Sequence, residues 1–450
     1  MIFWIRLLYN LLFPVVLILM LPGFALRMIR RGKYRHKFWQ RFAMYSDGVD
    51  RKIAGTGRLW IHAVSVGEVN IALKLIQTLR ERDASMEFVL STTTSTGFKL
   101  AATRKTPWLE PIYNPLDFQP IARRAMRLIR PRALVLVEAE VWPNCVCEAK
   151  SLGIPIILVN ARLSPRSEKR FRKIRWIAAP VFNQIDILCL QEPADEPRWR
   201  SLGVDPSKLH TTGSIKFDDS AAAPRPIRDF RPALDSLGIS PHAPVLLGGS
   251  TFEGEELLLA EVFLRLRKSH PNLFLILVPR HQERSDSVAN QLEQIGLRLA
   301  RRTEPGVVEN PDALLVDTTG ELASWYRCAT VVFIGKSLMA RGGQNPAEAI
   351  TAGAPVVFGP NMQNFASLAA AFLRAGGAAQ ISDAGELQEA LDTLLQNPRR
   401  REESTQAAQR CLEIHRGATA RTIDLLQSLL QQDQKNPSPS KNRLTGSPVA

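Results

Sequence analysis

Trp60-Ile61-His62-Ala63-Val64-Ser65-Val66-Gly67-Glu68-Val69-Asn70 is the stretch whose reading decides the fold. Its apolar start reads as a buried strand and its small residues as a turn. Ile71, Ala72, Leu75, Ile76 and Leu79 then recur at helical spacing, so Glu68 opens a helix. In an open α/β sheet the ligand crevice lies beyond the carboxyl ends of the strands. A carboxylate at a helix N-terminus is favoured by free backbone N–H groups and the helix dipole. Glu68 therefore has two readings: an acid that only stabilises its helix, or a base placed to take a proton from an incoming hydroxyl.

Outward from this unit the same alternation continues. Strand-like runs at 59–63, 88–91, 133–137, 155–159 and 185–190 are separated by helix-like segments, as in a parallel sheet covered on both faces. An Ala/Pro-rich passage at 221–226 reads as a linker. A second series follows at 244–247, 273–278, 313–316, 330–334 and 355–358. The pattern predicts two Rossmann-like domains, 42–218 and 244–432, joined by a linker at 219–243, with a cleft between them where two ligands meet. The polar, Pro/Ser-rich end at 433–450 reads as disordered.

Ahead of the first domain, residues 7–26 form a mostly apolar segment of the length needed to cross a bilayer core, and the positions of Pro14 and Pro22 leave a shallow interfacial helix as the alternative. No convincing small-residue cleavage site follows, which favours an uncleaved anchor over a signal peptide. Arg27, Arg30, Arg31, Lys33, Arg35, Lys37 and Arg41 come next. By the positive-inside rule they hold the following chain in the cytoplasm, where they can contact anionic head groups. Residues 1–41 are thus read as membrane anchor and basic flank. Across 450 residues the net charge is +15, which points to an anionic partner. Nucleic acid is disfavoured, because the basic residues gather beside an apolar span and no reading motif appears. Five scattered cysteines without C-x-x-C pairs argue against a disulfide framework or structural zinc, and fit a reducing compartment.

Polar motifs recur at the predicted strand ends. Glu138-Ala139-Glu140-Val141-Trp142-Pro143-Asn144 puts two acids after one strand, and Asn160 to Ser167 puts Arg162 and Arg166 after the next. Lys216 lies in Thr212-Gly213-Ser214-Ile215-Lys216-Phe217-Asp218, just before the linker. In the second half come Gly248 to Glu255, Pro279-Arg280-His281, Asp317-Thr318-Thr319-Gly320-Glu321, and Gly342-Gly343-Gln344-Asn345-Pro346-Ala347-Glu348. Such turns into helices suit phosphate, and Glu348 suits ribose hydroxyls. Each motif also has a plain alternative as a solvated turn or a surface ion pair.

Taken in order, these motifs resemble those of the membrane-associated 3-deoxy-D-manno-octulosonic acid (Kdo) transferases of Gram-negative bacteria, from the anchor to about residue 425. The resemblance implies a GT-B glycosyltransferase fold at the cytoplasmic face of the inner membrane, in contact with its phospholipid. It implies inverting transfer of Kdo from CMP-Kdo to a hydroxyl of an anionic lipid A precursor, lipid IVA, with no cofactor and no metal held by the protein. Glu68 matches the general base, and Glu138 and Lys216 match positions that stabilise the transition state. Pro279, Arg280, Thr319, Gly320, Glu321, Asn345, Pro346, Ala347 and Glu348 match the CMP-binding segments. Gln344, Phe252 and Ala139 depart from the family, which usually has histidine, histidine and threonine there. The alternatives weighed are a UDP-sugar 2-epimerase-like GT-B enzyme and an inactive membrane-attached nucleotide-binding scaffold.

Overall fold

The computed structural model describes residues 1–31, 37–55, 57–163, 165–218, 228–304 and 308–435. Lys33, Arg35, Ser164, the Ala/Pro-rich passage at 221–226 and the tail at 436–450 lie outside them. The chain divides into two units, Met1–Ala222 with Ile414–Ala450, and Ala223–Glu413.

In the first unit the strands are β1 (Arg58–His62), β2 (Glu87–Thr92), β3 (Leu109–Tyr113), β4 (Ala133–Val137), β5 (Ile156–Ala161), β6 (Ile187–Leu190) and β7 (Leu209–Thr211). They pair in parallel in the order β3-β2-β1-β4-β5-β6-β7. Strand order reverses between β1 and β4, the topological switch point at which such sheets open a crevice. Side chains on a strand alternate between faces, and the core divides accordingly. Trp60, Leu134 and Leu136 fill one cluster; Leu59, Ile61, Val135 and Val137 fill the other, with Leu75 and Leu79 of the helix Val66–Arg82.

The second unit repeats the plan with β8 (Val245–Thr251), β9 (Phe274–Pro279), β10 (Leu299–Arg301), β11 (Ala313–Leu315), β12 (Val331–Ile334), β13 (Val356–Phe358) and β14 (Ala378–Gln380). The order is β10-β11-β9-β8-β12-β13-β14, again parallel, with its reversal between β8 and β12. The ten strands expected from sequence are all present. β3, β7, β10 and β14 were not expected, and they are the four edges of the two sheets.

Four expectations are corrected. The last helix, Ala418–Lys435, was expected within a second domain ending at 432 but packs on the first unit. Its apolar stripe, Ile423, Leu426, Leu429 and Leu430, completes the cluster against Leu75 and Leu79. Within the expected linker, the short helix Arg231–Asp235 belongs to the second unit: Leu234 is buried, and Phe230 stacks on Trp325 at 4.3 Å. Asp433 to Lys435, expected in the disordered tail, are the last turn of a helix. Arg41 is also no head-group contact. It is buried, donates to the Thr93 carbonyl at 2.9 Å and lies over the Tyr113 ring.

Leu426→Ala should destabilise the first unit by about 2–5 kcal/mol, the range for emptying a buried leucine site. A lower urea midpoint for Leu426→Ala, with none for the exposed Gln432→Ala, is the expected result.

Candidate active site

At the first switch point, Ser65 caps the helix Val66–Arg82 and Glu68 closes a capping box with it. The Glu68 carboxylate accepts from Val64 N at 2.9 Å, Ser65 Oγ at 2.8 Å and Ser65 N at 3.3 Å. Both readings of Glu68 are therefore compatible. It does stabilise its helix, yet three bonds leave one of a carboxylate's roughly four acceptor sites open, on Oε2. Glu68 is buried, but among charged groups at a strand end rather than in the apolar core.

Glu138 follows β4 with φ 61, a left-handed turn that a glutamate adopts only under constraint. Burial first, and then the charge of Glu68, raises its pKa; Arg162 and Lys216 oppose the rise. Glu140 is pushed up to about 7 by burial, by Glu68 and by Glu138, against a hydrogen bond from Trp142 Nε1 at 3.1 Å. The three acids, Arg162 and Lys216 thus form one electrostatic cluster. The Lys216 chain is exposed, yet its ammonium lies among enough protein atoms that desolvation lowers its pKa, with Glu138 pulling the other way.

The Lys216 turn is itself braced. Asn160, at φ 53, accepts from Ser214 Oγ at 3.2 Å and Ile215 N at 3.0 Å, and Lys74 Nζ donates to Ile215 O at 3.0 Å. Asp218 accepts from Gly417 N and Thr419 N at the start of the last helix. Gly213 has φ 87, and a Cβ there would stand 2.5 Å from the Ile414 carbonyl, so only glycine admits the returning chain. Lys74 was not singled out in the sequence, and Asn160 only as the first residue of its motif, without this bracing role.

In the second unit, Glu255 opens the helix Glu255–Leu266 and is fully buried. It accepts from the backbone N–H of Phe252, Lys336, Ser337, Leu338 and Met339 at 2.7 to 3.4 Å, tying the ends of β8 and β12 together. Lys336 has φ 58, and its ammonium sits 4.9 Å from the Phe252 ring, beside Gly342. Sequence reasoning missed both roles, although Gly335-Lys336-Ser337 between a strand and a glycine-rich loop is a visible phosphate-type signal.

Pro279 ends β9, and the exposed Arg280 donates its backbone N–H to Thr251 O at 3.0 Å. Thr319 and Gly320 are exposed beyond β11. Glu321 instead accepts from Thr318 Oγ1 at 2.6 Å and from Arg302, which lies over Phe230, so its carboxylate is engaged within the protein. Asn345 accepts from Ala347 N and donates to Glu348 Oε1 at 3.3 Å; Pro346 and Ala347 are buried and Glu348 is exposed. These segments share the carboxyl edge of the second sheet, where β11, β9, β8 and β12 are neighbours.

Paired doubly wound units with polar groups at both switch points are the architecture of GT-B glycosyltransferases, and this chain is an enzyme of that class. Residues 36–219 match the family model described as 3-deoxy-D-manno-octulosonic-acid transferase (kdotransferase). The 3-deoxy-D-manno-octulosonic acid transferase of Bordetella pertussis is 34% identical over 429 residues, 91% of this chain and 96% of that one. Its counterpart in Haemophilus influenzae is 30% identical over 432 residues, 95% of this chain and 99% of that one. The chain belongs to the Kdo transferase family of lipopolysaccharide biosynthesis. The UDP-GlcNAc 2-epimerase of Neisseria meningitidis matches 82% of this chain and 100% of its own with a TM-score of 0.52. At 12% identity that likeness establishes a shared fold and no more.

Glu255→Ala would strand five backbone donors, each costing about 1–3 kcal/mol when buried and unpaired. Thermal unfolding should show the second unit severely destabilised, and Glu255→Gln, which keeps one accepting oxygen, should fall between that variant and the native protein.

Proposed function

We propose that the enzyme transfers Kdo from CMP-Kdo, with inversion, to a hydroxyl of a phosphorylated lipid A precursor, lipid IVA, at the cytoplasmic face of the inner membrane. The single observation that carries this reading is the Glu68 carboxylate, held by three hydrogen bonds with one acceptor site left over. That oxygen takes the acceptor hydroxyl's proton as the new bond forms to the anomeric carbon. The bond from that carbon to the CMP phosphate oxygen breaks, and CMP departs with the electron pair. Glu138 stabilises the positive charge that develops at the sugar, and Lys216 the negative charge that develops on the departing phosphate. Arg280, Lys336 and the glycine-rich turn receive the phosphate, Thr319, Gly320 and Asn345 to Glu348 hold the nucleotide, and Pro279 and Glu321 shape that edge. These cations supply the charge stabilisation the leaving group needs. We therefore read the reaction as requiring no cofactor and no metal held by the protein. The exposed Trp142 and Val66 beside the acids suit an acceptor that carries acyl chains.

The test is incubation of purified enzyme with CMP-Kdo and a tetraacylated lipid A precursor in EDTA, followed by mass spectrometry. An added mass of one or more Kdo units is expected; an unchanged lipid defeats the proposal. Glu68→Gln should lower turnover by about two to four orders of magnitude, the usual worth of a general base. Because the capping box survives in part, the variant should still fold and bind CMP.

Glu140 sets the expected pH dependence. As pH falls through about 7 it takes up a proton, and the negative charge beside Glu68 is lost. The kcat/KM profile should therefore fall below neutrality, and Glu140→Gln should flatten that limb. Stability runs the other way. A folded-state pKa above the ordinary 4.5 means that the contribution is complete below that value and is lost as pH rises through about 7.

A further inference from the structure

The helix Ile2–Arg31 carries an apolar window, Ile2–Leu19, with mean hydropathy 2.1, of which only 6% is buried. At about 1.5 Å per residue it is long enough to cross a bilayer. Its two ends say otherwise. Near its start, Arg6 pairs with Glu148, Asn10 exchanges hydrogen bonds with Asn144 at 2.9 and 3.0 Å, and Gln119 N donates to Asn10 Oδ1 at 2.9 Å. Tyr9 bonds Asp117, and Phe13 stacks on Phe118 at 5.5 Å. All these partners belong to the first unit. Beyond its other end, Gln40 accepts from Tyr113 N at 3.0 Å, and Arg41 O accepts from Leu116 N at 2.8 Å, again on the first unit. Six residues lie between Arg31 and Phe38, and the seven steps from one Cα to the other, fully extended, reach at most about 25 Å. That is less than the hydrocarbon thickness of about 30 Å. Neither end can therefore stand across a bilayer from the folded unit.

We infer that this helix is monotopic: it is latched by its polar face to the first unit and presents its opposite face to the acyl chains of a single leaflet. Trp4, Leu8, Leu11, Leu12, Val15 and Ile18 are on that exposed face. The surface beside Met1 matches it. Arg172, Lys173 and Arg175 flank a 61%-exposed Trp176 there, the pairing of cations with tryptophan that settles at the head-group level. The helix Pro143–Ser151, to which Arg6 and Asn10 are bonded, directly follows the Glu138 to Trp142 turn. The latch thus holds the acid cluster at a set height above the lipid.

The inference rests on membrane attachment, so the test separates the two. A single cysteine added ahead of Met1 is probed with a membrane-impermeant maleimide in spheroplasts and in inside-out vesicles, with the native protein as background. Labelling only in inside-out vesicles is expected, alongside recovery in the membrane fraction. Labelling from the outer face of intact spheroplasts overturns the monotopic arrangement. Loss of the protein to the soluble fraction overturns membrane attachment itself. As a second measurement on the unmodified terminus, Asn10→Cys with Gln119→Cys, both half-buried, should be joined by a short bis-maleimide in native membranes, above the background of the Gln119→Cys variant. A helix that crosses the bilayer yields no such product.

Discussion

A glutamate that takes backbone N–H groups at the carboxyl end of a central strand is the interaction on which both units depend. Glu68 after β1 and Glu255 after β8 occupy the same place in two sheets of the same plan, each in the first turn of the following helix. Glu255 is saturated: five N–H groups consume its acceptor sites, and its task is to join the loops after β8 and β12. Glu68 accepts from one hydroxyl and two N–H groups, all close in sequence, and so keeps capacity for an outside donor. The count of hydrogen bonds separates a saturated carboxylate from one with an acceptor site to spare.

Backbone strain gathers at the same strand ends. Glu138, Asn160, Ser250 and Lys336 all have φ between 52 and 61, and they follow or end β4, β5, β8 and β12. Such conformations cost about 1–3 kcal/mol each and persist where surrounding contacts over-determine them. Those contacts are visible: Glu138 N bonds Val159 O, Asn160 braces the 214–215 backbone, and Glu255 holds Lys336 N. The sharp turns set Glu138 and Lys336 at the carboxyl edges of their sheets.

Both ends of the described chain return to the first unit. The last helix closes a core face and pins the Lys216 turn through Asp218; the first helix is bonded to the helix that continues from the acid cluster. Elements remote in sequence from Glu68 therefore govern the groups around it. Packing transmits such positioning because protein interiors are dense and compress little.

By itself the sequence determined the fold class, the ten inner strands and the motifs at their ends. Strands buried on both faces read as unbroken apolar runs, as in Ala-Leu-Val-Leu-Val at β4. The four edge strands escaped because an edge needs no such run: β3 carries Glu110 and Pro111, and the other three are only three residues long. Which unit receives the last helix, that Arg41 is interior, and that Glu255 and Lys336 organise the second switch point were decided by tertiary structure alone. An amphipathic stripe states that a face will be buried without naming its partner, and a first-turn acid looks the same whether it is bare or holds five amides. Local patterning sets the elements; partners are set by contacts between residues far apart in the chain.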